Sequence, residues 1–198
     1  MRFIEPLEAG STYHIFNRGI NGENIFNERR NYYHFLDKYN EYCSDILETY
    51  AYALLKNHFH FLVKVKENII IQRRDGKGEI ELNASRQLSH FFNSYAQSFN
   101  KAYNRHGKLL EEPFRRKSAD NCAYFTSLIY YIHTNPQHHS FVSDFREWEF
   151  TSWNALLNDK PTFLAKEKVI EWFGSRENFE KAHVGNIPLN TIFHLKIE

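Results

Sequence analysis

Thr49-Tyr50-Ala51-Tyr52-Ala53-Leu54-Leu55-Lys56-Asn57-His58-Phe59-His60-Phe61-Leu62-Val63 is the stretch on which the fold turns. Its β-branched and aromatic content predicts two strands, with Asn57 in the turn between them. Strand side chains alternate between faces, so His58 and His60 project together and Phe59 and Phe61 project the other way. A face carrying two neighbouring imidazoles can grip one metal ion. Taken alone, such a pair is most often just two polar residues on a wet sheet face, and the rest of the chain has to decide.

Upstream, Ser11-Thr12-Tyr13-His14-Ile15-Phe16-Asn17 reads as a further strand, ended by Arg18-Gly19-Ile20-Asn21-Gly22. Between Glu28 and Cys43, the residues Tyr32, Phe35, Leu36, Tyr39 and Cys43 make one helical stripe. Downstream, 66–82 holds Ile69-Ile70-Ile71, an Asp75-Gly76 turn and Ile80, which predicts an exposed hairpin or a mobile loop. A long helix is expected from Asn83 to Arg105, with Leu88, Phe91, Phe92, Tyr95, Phe99 and Ala102 on its apolar face and Gly107 at its end. Leu109 to Ser118 reads as extended. A third helix runs from Asn121 to Asn135, closed by Pro136, with Phe125, Leu128, Ile129 and Ile132 facing the core. Tyr124, Tyr131 and Asn135 fall together on its flank, Tyr130 points away from the core, and His133 takes the opposite flank.

The first six elements follow the order of an α+β, ferredoxin-like split βαβ: an antiparallel sheet with helices on one face. Residues 1–158 are expected to form this domain with its added helix. Residues 159–198 are expected to form a C-terminal helical appendage with short helices at Lys166–Phe173 and from Ser175 to His183.

With 198 residues the chain can bury one good core. A net charge of +1 excludes a global basic field, so any nucleic-acid footprint must be local. The most basic region runs from Lys101 to Lys117, where six Lys and Arg residues outnumber two acids, Glu111 and Glu112. Tyr103 and Phe114 are interleaved there, which suits phosphate contact with base stacking. Cys43 and Cys122 match no zinc or redox spacing and read as buried free thiols of a reducing compartment. No apolar run reaches signal-peptide or membrane-span length, so a cytoplasmic protein with no membrane partner is expected.

Tyr13-His14-Ile15-Phe16-Asn17-Arg18-Gly19, Lys56-Asn57-His58-Phe59-His60-Phe61-Leu62-Val63 and Tyr131-Ile132-His133-Thr134-Asn135-Pro136 together resemble the successive motifs of the single-tyrosine HUH transposases. The branch they are most similar to is the REP-associated tyrosine transposases. Phe92-Asn93-Ser94-Tyr95, Arg105-His106-Gly107, Pro113-Phe114-Arg115-Arg116 and Phe150-Thr151-Ser152-Trp153 extend the resemblance along nearly the whole chain. It implies that His58 and His60 are ligands of a divalent metal, Mg²⁺ or Mn²⁺. It also implies that Tyr131 is the nucleophile and that Asn135, one turn later, completes the coordination. Tyr124, two turns before Tyr131, is the rival nucleophile. The implied substrate is single-stranded DNA beside a hairpin, cut and rejoined through a 5′-phosphotyrosine, with Arg18, Lys101, Arg105, Arg115, Arg116 and Lys117 on phosphates. The alternative is a domesticated hairpin-binding protein that no longer cuts. A homodimer is one arrangement the resemblance allows. Glu111 and Glu112 depart from a pattern that is more basic in relatives, and 66–82 is longer than the family needs.

Overall fold

The computed structural model describes residues 6–67, 69–72, 78–119 and 122–185. In chain order the elements are β1 (Thr12–Arg18), α1 (Arg29–Cys43), β2 (Leu47–Leu54), β3 (His58–Val65), β4 (Ile70–Gln72), β5 (Glu79–Glu81) and α2 (Ala84–Ala102). They continue with β6 (Arg115–Ser118), α3 (Cys122–His138), α4 (Trp153–Leu157), α5 (Lys166–Trp172) and α6 (Arg176–Val184). The main sheet has the order β2-β3-β1-β6, with every neighbouring pair antiparallel. β1 and β2 are therefore parallel with β3 inserted between them, which is the ferredoxin-like split βαβ of an α+β fold.

The Phe half of the histidine strand makes the core under α1 and α2. Glu28 and Asn31 start α1 with a reciprocal capping box. That places Phe35 with its ring centroid 5.1 Å from Phe59 and 4.8 Å from Phe91. Phe59 is fully buried and stacks on Phe92 of α2. The histidine half faces α3, which packs across β2 and β3 on the opposite side of the sheet. Ala51 and Ala53 stand opposite Leu62 and His60 and are fully buried, so small side chains leave room for α3 to come down close to the sheet. A register irregularity between Thr49 and Ala51 accompanies the placement of Tyr50 near Phe125 and Trp172.

Several local expectations need correction. α3 does not stop before Pro136 but runs through it to His138. A proline costs one amide donor, and bonding resumes directly afterwards, with His139 N donating to Asn135 O at 3.0 Å. α2 ends at Ala102, and the left-handed residue behind it is Asn104 (φ 48°), while Gly107 (φ 85°) shapes the following loop. Tyr130 does not face solvent: α3 is covered on its outer side too, and Tyr130 is buried beside His183. β4 and β5 pair as the hairpin expected within 66–82, with Ile70 and Ile80 exposed, while the Asp75-Gly76 turn lies outside the described residues. Cys43 is a buried free thiol whose pKa burial pushes up; the Cys122 side chain lies outside the described set. No helix among the described residues is long and apolar enough to cross a membrane.

α6 is tied to α3 through buried imidazoles. His133 Nδ1 lies 2.9 Å from His183 Nε2, His133 Nε2 lies 2.7 Å from Ser152 Oγ, and His183 Nδ1 lies 2.8 Å from Phe179 O. Burial lowers the pKa of His183 to about 4, against a smaller upward pull from the Phe179 carbonyl, and burial holds His133 well below its ordinary value. The unfolded chain takes up these protons near ~6.5, and the folded chain resists. Stability is therefore intact above about pH 6.5 and falls as the pH drops toward 4. His183 alone contributes about 3 kcal/mol to that loss when fully expressed. Urea midpoints should be level from pH 7 to 8.5 and fall clearly by pH 4.5; an unchanged midpoint at pH 4.5 would contradict neutral burial of the pair.

Candidate active site

The register between β1 and β3 builds the floor of the site. Arg18 stands opposite His58, and Phe16 stands opposite His60. Cross-strand partners share a face, so these residues and His14, two positions along, all project toward α3. Gly19 follows at once: a Cβ there would lie 2.0 Å from the Glu23 carbonyl oxygen, so only glycine lets the chain fold back this tightly behind Arg18.

α3 lowers two residues, one turn apart, onto that floor. His58 Nε2 lies 3.1 Å from Asn135 Oδ1. The Tyr131 ring stands nearly perpendicular to His60 and His14, with centroids 5.7 Å and 6.3 Å away. His58, His60, Asn135 and Tyr131, spread over more than seventy residues, thus meet at one place. Asn135 is wholly buried, and His60 and Tyr131 are 3% and 7% exposed. Burial lowers the pKa of His58 to about 4, only partly opposed by the Asn135 contact. Burial, followed by the neighbouring His14 and His58, holds His60 well below its ordinary value. Both rings are neutral near pH 7, and each keeps one lone pair.

The polar atoms suit a cation. His58 has one proton to give, yet its Nδ1 lies 2.8 Å from Asn57 Oδ1 and its Nε2 faces Asn135 Oδ1. One proton serves only one of these oxygens, so the other ring nitrogen keeps a lone pair, and a cation bound at Nε2 would take that lone pair together with Asn135 Oδ1. His60 Nε2 is buried with no hydrogen-bond partner among the described residues. Among these residues no group of three or more His, Cys, Asp or Glu side chains is placed to hold a metal. The third polar side chain at this place is an amide, that of Asn135.

The cations named above divide by face. Arg115 and Lys117 of β6 stand opposite Phe16 and His14, on the α3 side with Arg18. Glu111 braces this edge: Arg18 Nε and Arg115 Nη2 donate to its two oxygens at 2.6 and 2.8 Å. The acid that departs from the basic pattern therefore organises two arginines instead of simply diluting them. Arg116 turns to the other face, where it lies 3.9 Å over the Phe114 ring and donates to Ser85. Arg105 is engaged with Glu23 and the Lys108 carbonyl, and Lys101 is in the last turn of α2. Tyr124 is half-buried, and that burial, followed by the neighbouring Tyr131, raises its pKa.

Three neighbours of the site escape sequence reasoning. His14 Nε2 lies 2.9 Å from His60 Nδ1, Asn57 holds His58, and the His139 ring lies 4.8 Å from that of His58. The strand alternation places His14 on the same face as Phe16, but only the cross-strand register puts it beside His60.

A ferredoxin-like sheet with one long helix laid across its open face is the class that this fold defines. Among solved structures it is similar to a REP-associated tyrosine transposase bound to a REP hairpin, with a TM-score of 0.59 over 79% of this chain and 85% of that one. The identity is 14%, so the likeness is one of fold. No family model and no curated protein matches the sequence.

Proposed function

We propose that this protein is a metal-dependent single-stranded DNA transesterase that cuts and rejoins strands near hairpins through a 5′-phosphotyrosine. The observation that carries this reading is the meeting of Tyr131 with His58, His60 and Asn135. The hairpin bound by the protein of similar fold supports the choice of partner.

His58, His60 and Asn135 would hold Mg²⁺ or Mn²⁺, which when bound polarises the scissile phosphate and offsets charge developing on its oxygens. The mixed imidazole and amide donors favour Mn²⁺ over Mg²⁺. Tyr131 makes the bond. A free phenol titrates near ~10 and is a weak nucleophile at neutral pH, so placement must do much of the work. Its oxygen attacks phosphorus in line with the 3′ oxygen, and the P–O3′ bond breaks. The phenol proton leaves, the departing oxygen takes up a proton as a 3′-OH, and the 5′ phosphate stays on Tyr131. Attack by a 3′-OH reverses the step, so strands are joined without an external energy source.

Arg18, Arg115 and Lys117, on the face of the histidines, would hold the phosphates next to the cut. Lys101, Arg105 and Arg116 would reach only flanking DNA. Arg115→Ala should weaken hairpin binding almost uniformly across sequences and lower the log-affinity against log-salt slope by about one. A salt slope equal to that of the wild type would remove Arg115 from the interface.

The test is a labelled single-stranded hairpin oligonucleotide with Mn²⁺ or Mg²⁺, read as an adduct that survives denaturing electrophoresis. Adduct that disappears with a chelator supports the proposal. Tight hairpin binding without adduct, across a panel of hairpins and both metals, would overturn it in favour of a non-cutting binder.

A further inference from the structure

We propose that His14 is a positioning residue: by accepting a hydrogen bond from His60 it fixes the His60 tautomer and presents the Nε2 lone pair to the bound ion. This rests on the reading of His58, His60 and Asn135 as ligands.

His14 Nε2 and His60 Nδ1 are 2.9 Å apart, both rings are buried, and they stack with centroids at 5.1 Å. Two nitrogens at that distance share one proton, so the pair has two neutral arrangements. In one, His60 carries its proton on Nδ1 and donates to His14, and the His60 Nε2 lone pair is available. In the other, His14 donates, and His60 must carry its proton on Nε2, where no partner stands among the described residues. Only the first arrangement lets Nε2 act as a ligand. Without metal the two are closely matched, because each leaves His60 Nε2 and His14 Nδ1 without partners. An ion at Nε2 satisfies one of these atoms in the first arrangement alone. His14 therefore does for His60 what Asn57 does for His58, where an amide oxygen 2.8 Å from Nδ1 occupies the ring's other nitrogen. Phe16 and Tyr131 complete the packing around the His60 ring, so its orientation is held on several sides.

The experiment measures Mn²⁺ affinity by titration calorimetry or spin resonance for wild type, His14→Phe and His14→Gln. Long-range proton–nitrogen NMR of the His60 ring, with and without Mg²⁺, accompanies it. His14→Phe keeps an aromatic ring but no acceptor, and should weaken Mn²⁺ binding about 10–100-fold. His14→Gln restores an oxygen acceptor and should recover most of the loss. The wild-type His60 ring should show its proton on Nδ1 once Mg²⁺ is added. Equal Mn²⁺ affinity in wild type and His14→Phe, or a Mg²⁺-loaded His60 with its proton on Nε2, would overturn the role of His14. The wild-type NMR keeps the role falsifiable even if the variants fold poorly: a Mg²⁺-loaded His60 Nδ1 proton that shows no hydrogen-bond coupling to His14 Nε2 would overturn it. Wild type that binds no Mn²⁺ at all would defeat the ligand set itself, which is a different failure.

Discussion

Tyr131→Phe is expected to abolish covalent attachment to a DNA hairpin, lowering adduct formation by about four orders of magnitude or more, while hairpin affinity stays within about threefold. The variant keeps the ring that packs on His60 and His14 and removes only the oxygen that would attack. The split between binding and chemistry is the informative part. A hydroxyl used only in the transition state contributes to rate, whereas one used to hold DNA contributes to affinity. Tyr124→Phe is the necessary control. Tyr124 shares the flank of α3 and lies near Tyr131, but it is the Tyr131 ring that stands 5.7 Å from His60. Adduct should survive in Tyr124→Phe. Adduct that persists in Tyr131→Phe and vanishes in Tyr124→Phe would exchange their roles.

The convergence that motivates this experiment was half legible in the sequence. Alternation along His58-Phe59-His60-Phe61 separates a wet face from a core face without any knowledge of neighbours, and the helical period puts Tyr131 and Asn135 on one flank. Neither pattern says which sheet face α3 covers. That depends on Ala51 and Ala53, whose small side chains leave room on the histidine side, and on the strand order that makes β3 an inner strand. His14 was hidden for a related reason: alternation gives its face, while its partner is set by a register fixed only when β1 and β3 pair. Tyr130 was misplaced because a single-helix view cannot see α6 arriving from beyond residue 175. Pro136 misled by propensity, since a proline near a helix end removes one bond that the surrounding packing readily outweighs. The basic stretch is legible only coarsely. Counting charges between Lys101 and Lys117 cannot distinguish Arg115 from Arg116, although neighbours on a strand face opposite sides.

Asn135→Leu carries the second large effect, and it separates stability from function. Asn135 is wholly buried, and its Nδ2 has no acceptor among the described residues. An orphaned buried donor costs about 1–3 kcal/mol. Leucine has the branching of asparagine without its polar atoms but is bulkier, so relief of the orphaned donor is set against tighter packing, and metal-free Asn135→Leu should stay close to the wild type in thermal stability even after losing the contact with His58 at 3.1 Å. Metal response should change far more. An ion held at one hundred times its dissociation constant stabilises the folded state by about 2.7 kcal/mol, or about 5–10 °C in a chain of this size. Wild type should show that shift in Mn²⁺. Asn135→Leu should show almost none, and its adduct formation should fall at least about 100-fold. A structural asparagine would give the reverse pattern: lower metal-free stability and an unchanged shift in Mn²⁺. The distinction is sharp because a buried amide that satisfies only one of its two ends is poor core chemistry. Its place on the flank of Tyr131, facing His58, is the arrangement that the proposed ligand role requires, and the Mn²⁺ shift is the measurement that separates that role from a purely structural one.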